Sequence, residues 1–178
     1  MGMLDSKWNH LPHRILTLAF LRRESPSCKE VLLGMKKRGL GRGKWNGFGG
    51  KVEPSDASVL AATAREVYEE SMIHVDEEDL LPHGTLYFTF EGVPSVMQVH
   101  VYVTSKMRGE GVETEEMRPT WFEEKNLPYD EMWPDDRIWL PHVLCGKSVY
   151  GHFHFASDEK TILFQKLSIY DRSENCSQ

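Results

Sequence analysis

Residues 50–73 read GKVEPSDASVLAATAREVYEESMI, and the organisation of the whole chain follows from how that stretch is interpreted. From Asp56 to Ser71 it is rich in Ala, Glu and Arg, and Ser55 or Asp56 can cap a helix N-terminus, so the segment predicts an α-helix. At ~100° per residue, Glu66, Glu69 and Glu70 fall on one face, while Leu60, Ala64, Val67 and Ser71 gather on a side that can enter a core. Spacing alone leaves two explanations for three carboxylates that repel one another. One is a solvated acidic stripe in which Arg65 pairs with Glu69 at i+4; the other is a set of hard oxygen ligands for Mg2+ or Mn2+.

Just before the helix, residues 39–50 read GLGRGKWNGFGG, six glycines in twelve residues, which permits backbone conformations and close approaches closed to other residues. Upstream, ILTLAFL (15–21) and EVLLGM (30–35) flank the polar turn RRESPSC and predict a strand pair, the first strand lying mid-sheet. Downstream, TLYFTF (85–90) and SVMQVHVYVT (95–104) predict a hairpin, and PTWFE (119–123) a further strand. WPDDRIWLPHVLCGK, from Trp133, predicts a second helix with Ile138, Leu140, Val143 and Leu144 on its apolar side and Pro141 as a kink or break. GHFHFA (151–156) and TILFQKLSIY (161–170) close as a hairpin. About seven strands and two helices give an α+β class, a mixed β-sheet core sandwiched between α-helices. The expected layout is an N-terminal extension over 1–14, one domain over 15–170 and a frayed tail over 171–178.

The 178 residues suit a single core, and 40% hydrophobic with 27% charged residues is globular composition. With 21 basic and 27 acidic side chains the net charge is −6, which disfavours a nucleic-acid polymer as ligand; a small anion remains compatible if a divalent cation inverts the local field. No stretch approaches a membrane span, and the start lacks the pattern of a secretory signal. Three widely spaced cysteines, Cys28, Cys145 and Cys176, fit reduced thiols, so a cytoplasmic protein is expected. Met1-Gly2 followed by Ser6 matches a short myristoylation pattern.

The segment from Gly50 through Arg65-Glu66-Val67-Tyr68-Glu69-Glu70-Ser71-Met72-Ile73 resembles the Nudix box, the signature of hydrolases acting on nucleoside diphosphates linked to another group. Two departures stand out. Asp56 occupies the place of the first Glu, with eight residues rather than seven between it and Arg65, and Met72 replaces a glycine. Met there must accept left-handed strain of order 1 kcal/mol or let the helix run on. The likeness extends over roughly Ile15 to Tyr170, through Gly34-Met35-Lys36-Lys37-Arg38-Gly39, Lys44-Trp45-Asn46-Gly47-Phe48-Gly49-Gly50, Glu116-Met117-Arg118-Pro119 and Met132-Trp133-Pro134-Asp135-Asp136. Across that span the chain is similar to the branch of the family that acts on oxidised purine nucleoside triphosphates.

The resemblance implies a Nudix fold and Mg2+-dependent hydrolysis, with Mn2+ as a substitute, of nucleotides such as 8-oxo-dGTP and 2-oxo-dATP to the monophosphate and pyrophosphate. The biological outcome would be a nucleotide pool cleansed before a polymerase draws on it; the expected location is the cytoplasm, with nuclear or mitochondrial pools as alternatives, and the expected form a monomer without membrane or nucleic-acid partners. It places Gly49 (through its carbonyl), Glu66, Glu69, Glu70 and Glu116 in the metal shell, with Glu69, Glu70 and Glu116 catalytic, and Lys36 near the phosphates. Thr17, Asn46, Phe88, Phe90, Met97, Trp133, Asp135, Asp136 and Trp139 would line the base pocket, Trp133 stacking on the purine while Asn46, Asp135 and Asp136 read its edge. Independently of the family, two adjacent carboxylates in an apolar pocket raise at least one pKa, so that one donates while the other accepts.

The rival for Trp133-Pro134-Asp135-Asp136 is an ordinary helix N-cap. For the whole chain the rivals are a Nudix hydrolase of another modified purine such as O6-methyl-dGTP, or of a dinucleotide, and a nucleotide-binding module that has lost turnover. An RNA- or cap-binding protein using Lys36, Lys37, Arg38 and Arg42 is a third. His100 reads as a hydrogen-bonded sheet residue, His152 and His154 as a half-buried strand pair rather than metal ligands, and Trp45 as an anchor of the glycine loop.

Overall fold

The computed structural model describes Leu4 and residues 6–172. The Gly2 acylation pattern, Cys176 and the tail residues 173–178 lie outside the described residues; Asp171 pairs with Lys147 at 3.2 Å, and Arg172 donates to His83 Nε2 at 3.1 Å. The elements are β1 (His13–Glu24), β2 (Lys29–Lys36), β3 (Trp45–Asn46), α1 (Val59–Ser71), β4 (Leu81–Phe90), β5 (Val96–Thr104), β6 (Met117–Glu123), α2 (Asp136–Leu144), β7 (Ser148–Phe155) and β8 (Ile162–Tyr170). They form one mixed sheet in the order β3-β2-β1-β5-β4-β7-β8, with β6 pairing β2. β1 runs parallel to β5 and β4 parallel to β7; the remaining neighbours are antiparallel. Parallel neighbours need long crossovers, and the two α-helices lie on them.

Alternation along β1 divides the sheet into two faces. Phe20 packs with Trp139, Leu140, Val143 and Leu144 of α2, whereas Ala19 and Leu21 pack with Phe48, Val67 and Met117 beneath α1. The expected sandwich of helices about a mixed sheet is therefore present, with β1 internal. The structure adds the two-residue strand β3, too short to carry a periodicity, which makes eight strands rather than about seven.

One helix boundary differs from expectation, the start of α1. α1 is capped neither by Ser55 nor by Asp56: it starts at Val59, and Ser58 Oγ accepts from the Ala61 amide at 2.9 Å. Asp56 is diverted because Arg65 holds both of its carboxylate oxygens, each at 2.9 Å. At the other end Met72 takes the left-handed conformation, φ 61°, and its N–H bonds to Tyr68 O, so the strained alternative is the one realised. α2 runs on past Pro141 to Leu144.

Candidate active site

The glycine loop is fixed by its passage along β1. Thr17 donates to Gly50 O at 2.8 Å, and Ala19 and Phe48 exchange hydrogen bonds through both their amides. The approach requires glycine at 49, where an added Cβ would stand 2.1 Å from Thr17 O. Gly50 faces α1: a Cβ there would lie 2.6 Å from the Glu66 carboxyl carbon. The loop thus presents bare backbone to the carboxylate helix.

That helix holds its carboxylates in three different environments. Glu70 is buried, accepts from the Gly49 amide at 2.8 Å and meets Lys36 Nζ at 3.3 Å. Burial raises its pKa to about 7 against the pull of Lys36 and the Gly49 amide. Glu66 is also raised by burial, and the nearby charges of Glu69 and Glu116 push it further up while Arg65 opposes. Glu69 is open to solvent and shares the Arg65 guanidinium with Glu66 at 3.1 and 2.9 Å. Glu116 pairs with Arg38. Both outcomes of the spacing are visible here: the i+4 pair forms, and the carboxylates around it are drawn out of water.

Among the described residues no three His, Cys, Asp or Glu side chains converge as a preformed metal cage. The donor set nonetheless fits a hard divalent cation. Glu66 and Glu70 are partly or wholly removed from water, sit beside backbone with no side chain in the way, and have pKa values that a cation would bring down.

Beside this helix opens a cavity of about 450 Å3. Every residue expected to meet the base lines it: Thr17 from β1, Asn46 from β3, Phe88 and Phe90 from β4, Met97 from β5, and Trp133, Asp135, Asp136 and Trp139 at α2. Lys36, Gly49 and Glu116 stand at its border. Glu66, Glu69 and Glu70 do not line it; Glu70 reaches it through Lys36 and Gly49, and Glu69 shares a shallow neighbouring depression with Glu116. Phe90 and Phe155 meet the Trp133 ring edge-on at 6.1 and 5.8 Å, leaving an aromatic wall suited to a planar ligand.

Asp135 and Asp136 are both buried at this wall. Asp135 occupies the helix N-cap position without capping; its Oδ2 accepts from Trp139 Nε1 at 2.7 Å and its Oδ1 has no hydrogen-bond partner among the described residues. Asp136 Oδ2 accepts from the Trp133 amide at 3.0 Å. The ordinary N-cap reading therefore fails for this pair. Burial raises Asp135 to about 6, tempered by the Trp139 indole and Lys44; burial and then the charge of Asp135 push Asp136 well up. Both shifts favour the protonated forms, and each acid titrates in the field of the other. Thr17 Oγ1 is a second buried atom without a partner in the same cavity.

Several lining residues were not among those expected, Arg38, Leu40, Met117 and Phe155 among them. Phe155 ends a strand whose alternation predicts a hairpin but gives no hint of a ligand. The remaining candidates are structural. His100 bonds to Thr85 and Gln98, and Trp45 packs edge-on against Phe122 at 4.8 Å. His152 and His154 both meet Thr89 Oγ1 at 2.8 Å.

A family model described as the NUDIX domain matches residues 12–143. The chain is 44% identical over 143 residues to the oxidized purine nucleoside triphosphate hydrolase of Mus musculus, covering 80% of this chain and 89% of that one. It is 46% identical over 125 residues to the protein of the same name from Danio rerio, covering 70% and 78%. In structure it is similar to a MutT protein from Bacillus halodurans, with a TM-score of 0.74 at 26% identity over 87% of this chain and 97% of that one.

Proposed function

The chain belongs to the NUDIX family, and on that premise we propose that it hydrolyses oxidised purine nucleoside triphosphates to the monophosphate and pyrophosphate, clearing them from the nucleotide pool. The observation that carries the substrate class is the buried Asp135–Asp136 pair, one partnerless oxygen included, set in an aromatic cavity whose border carries Lys36, Gly49 and Glu116. A purine stacked on Trp133 would meet one carboxyl that donates and one that accepts. Oxidation of guanine adds an oxygen at C8 and turns N7 from acceptor to donor, so a pair that presents one donor and one acceptor would discriminate by proton placement.

Members of the family work with a divalent cation, and Mg2+ is the one we assign. Glu66, Glu70 and the Gly49 carbonyl would hold it, joined by Glu69 and Glu116; when bound it neutralises phosphate charge and acidifies an attacking water. The chain's own residues do the rest. Lys36 meets the phosphate oxygens once it is released from Glu70, and Asn46 adds a side-chain amide at the base edge. Water adds to phosphorus, the bridging P–O bond breaks, pyrophosphate leaves, and the proton passes to a carboxylate. Glu69, open to solvent, and Glu116, half-buried at the cavity, are suited to accept it. The net charge of −6 favours a free nucleotide over a polymer, and we place the reaction in the cytoplasmic pool, carried out by a monomer.

Pyrophosphate release from 8-oxo-dGTP, 2-oxo-dATP, O6-methyl-dGTP, dGTP and dATP with Mg2+, beside Glu70→Gln, tests this. Fast release from an oxidised purine, abolished in Glu70→Gln, is the expected result. Preference for the methylated nucleotide would redirect the substrate assignment, and binding without release would make the protein a nucleotide sensor.

A further inference from the structure

The family match begins at residue 12 and ends at residue 143, yet the two stretches outside it meet. Trp8 is buried and lies edge-on to the His152 ring at 4.5 Å, with His154 at 5.0 Å and Phe164 at 5.8 Å, so an N-terminal residue sits on β7 and β8. Its cluster includes Leu4 and Val96, with Leu11, Tyr87 and Phe164 packed around them. The segment is tied down by backbone as well: Leu11 donates to Trp8 O at 3.0 Å, and Val96 donates to Pro12 O at 3.0 Å. What was expected to be an extension outside the domain is packed into it.

The place it covers matters. Side chains alternate across a strand, so the residues behind Thr89 are Phe88 and Phe90, and the residues flanking His154 are Phe153 and Phe155. Phe88, Phe90 and Phe155 line the base cavity and stack on one another at 5.4 to 6.4 Å. Thr89 Oγ1 lies 2.8 Å from His152 Nε2 and from His154 Nδ1. A hydroxyl has one proton, so at least one ring must donate to it, and the trio locks β4 to β7 directly behind the aromatic wall. Trp8 packs over that trio, in which Thr89 and His152 are buried and His154 is partly exposed.

We infer that residues 6–12 are a working part of the base pocket: Trp8, through the Thr89–His152–His154 trio, is a positioning residue that sets the aromatic floor against which the purine lies. The inference rests on the functional reading above only for the identity of the ligand. Because Trp8 touches the reverse of the base wall and none of the residues around Glu70, its loss acts on nucleotide affinity and leaves the hydrolytic step alone.

Trp8→Leu, Trp8→Phe and Thr89→Val in the full chain, titrated calorimetrically with 8-oxo-dGMP and assayed with 8-oxo-dGTP, test it. Trp8→Leu and Thr89→Val are expected to weaken binding and raise KM about tenfold with kcat within about twofold, and Trp8→Phe to restore both. Equal affinity in wild type and Trp8→Leu, or a fall in kcat as large as the rise in KM, would overturn the inference. Should Trp8→Leu fail to fold, Thr89→Val, buried and nearly unchanged in volume, decides by the same criteria. Wild type that binds no 8-oxo-dGMP overturns the functional reading instead. In that event amide exchange over residues 86–90 judges the strap alone: faster exchange in Thr89→Val supports it, and unchanged exchange ends it.

Discussion

Trp139 Nε1 donates to Asp135 Oδ2 at 2.7 Å, and the other oxygen of that carboxyl is buried with no partner. The indole fixes which edge of Asp135 faces the cavity, so the partnerless oxygen is aimed rather than mobile. A buried acceptor left unpaired costs about 1–3 kcal/mol, a cost that a ligand donor removes. Asp135→Asn keeps the bond from Trp139 but offers the ligand an amide. We expect kcat/KM for 8-oxo-dGTP to fall about 100-fold, as for a site that has lost a matched polar contact. Steady-state kinetics on the purified variant check this; an unchanged value would remove Asp135 from base recognition.

The same substitution has the opposite effect on stability. Asp135 titrates at about 6 in the folded chain, against about 3.9 when unfolded, so the native state binds the proton more tightly. That contribution is complete below about pH 4 and is lost as pH rises through about 6, leaving a buried charge that destabilises the fold near neutral pH. Asparagine cannot ionise. Thermal unfolding of Asp135→Asn should match wild type near pH 4 and exceed it by several degrees at pH 7.5. An offset that does not grow with pH would contradict the raised pKa.

Arg65 holds Asp56 with two bonds, contacts Glu66 and Glu69, and donates to Lys51 O at 3.2 Å. Lysine cannot reproduce that planar fork. Arg65→Lys should lower kcat at least about tenfold, and Asp56→Ala should do the same by freeing the guanidinium. The double variant should be little worse than either single one, since both remove one clamp. Additive losses would show that the two residues act separately.

Lys44 Nζ sits 5.4 Å from the Trp133 ring centre and 3.5 Å from Met132 O, and its charge opposes the upward shift of both Asp135 and Asp136. Removing the cation lets both acids hold protons to higher pH. The acidic limb of the kcat/KM profile should therefore move to higher pH in Lys44→Gln and stay in place in Lys44→Arg. A profile unmoved in Lys44→Gln would sever Lys44 from the pair.

The carboxylate helix was legible because Arg65, Glu66, Glu69 and Glu70 carry a spacing that few other uses require. Its start was not, because Asp56 suits a cap as well as an ion pair, and only the fold brings Arg65 within reach of it. That Trp133, Asp135, Asp136 and Trp139 share one cavity was legible through resemblance rather than periodicity, since a Trp-Pro-Asp-Asp turn on its own describes a helix start. Phe155 and Trp8 escaped for a shared reason. Each lies in a stretch whose local pattern is complete without a ligand, and its role arises from strand pairing between residues far apart in sequence.

Adjacent residues of β1 belong to different cores, Phe20 with α2 and Ala19 and Leu21 with α1. The aromatic wall shares the first core and the carboxylate helix the second. On the function proposed above, a single thickness of backbone therefore stands between two inheritable traits, the choice of base and the act of cleavage, which meet at the cavity residues Lys36, Gly49 and Glu116. If that reading holds, exchanging side chains on one face would alter which base is accepted while leaving the carboxylate helix on the other as it is.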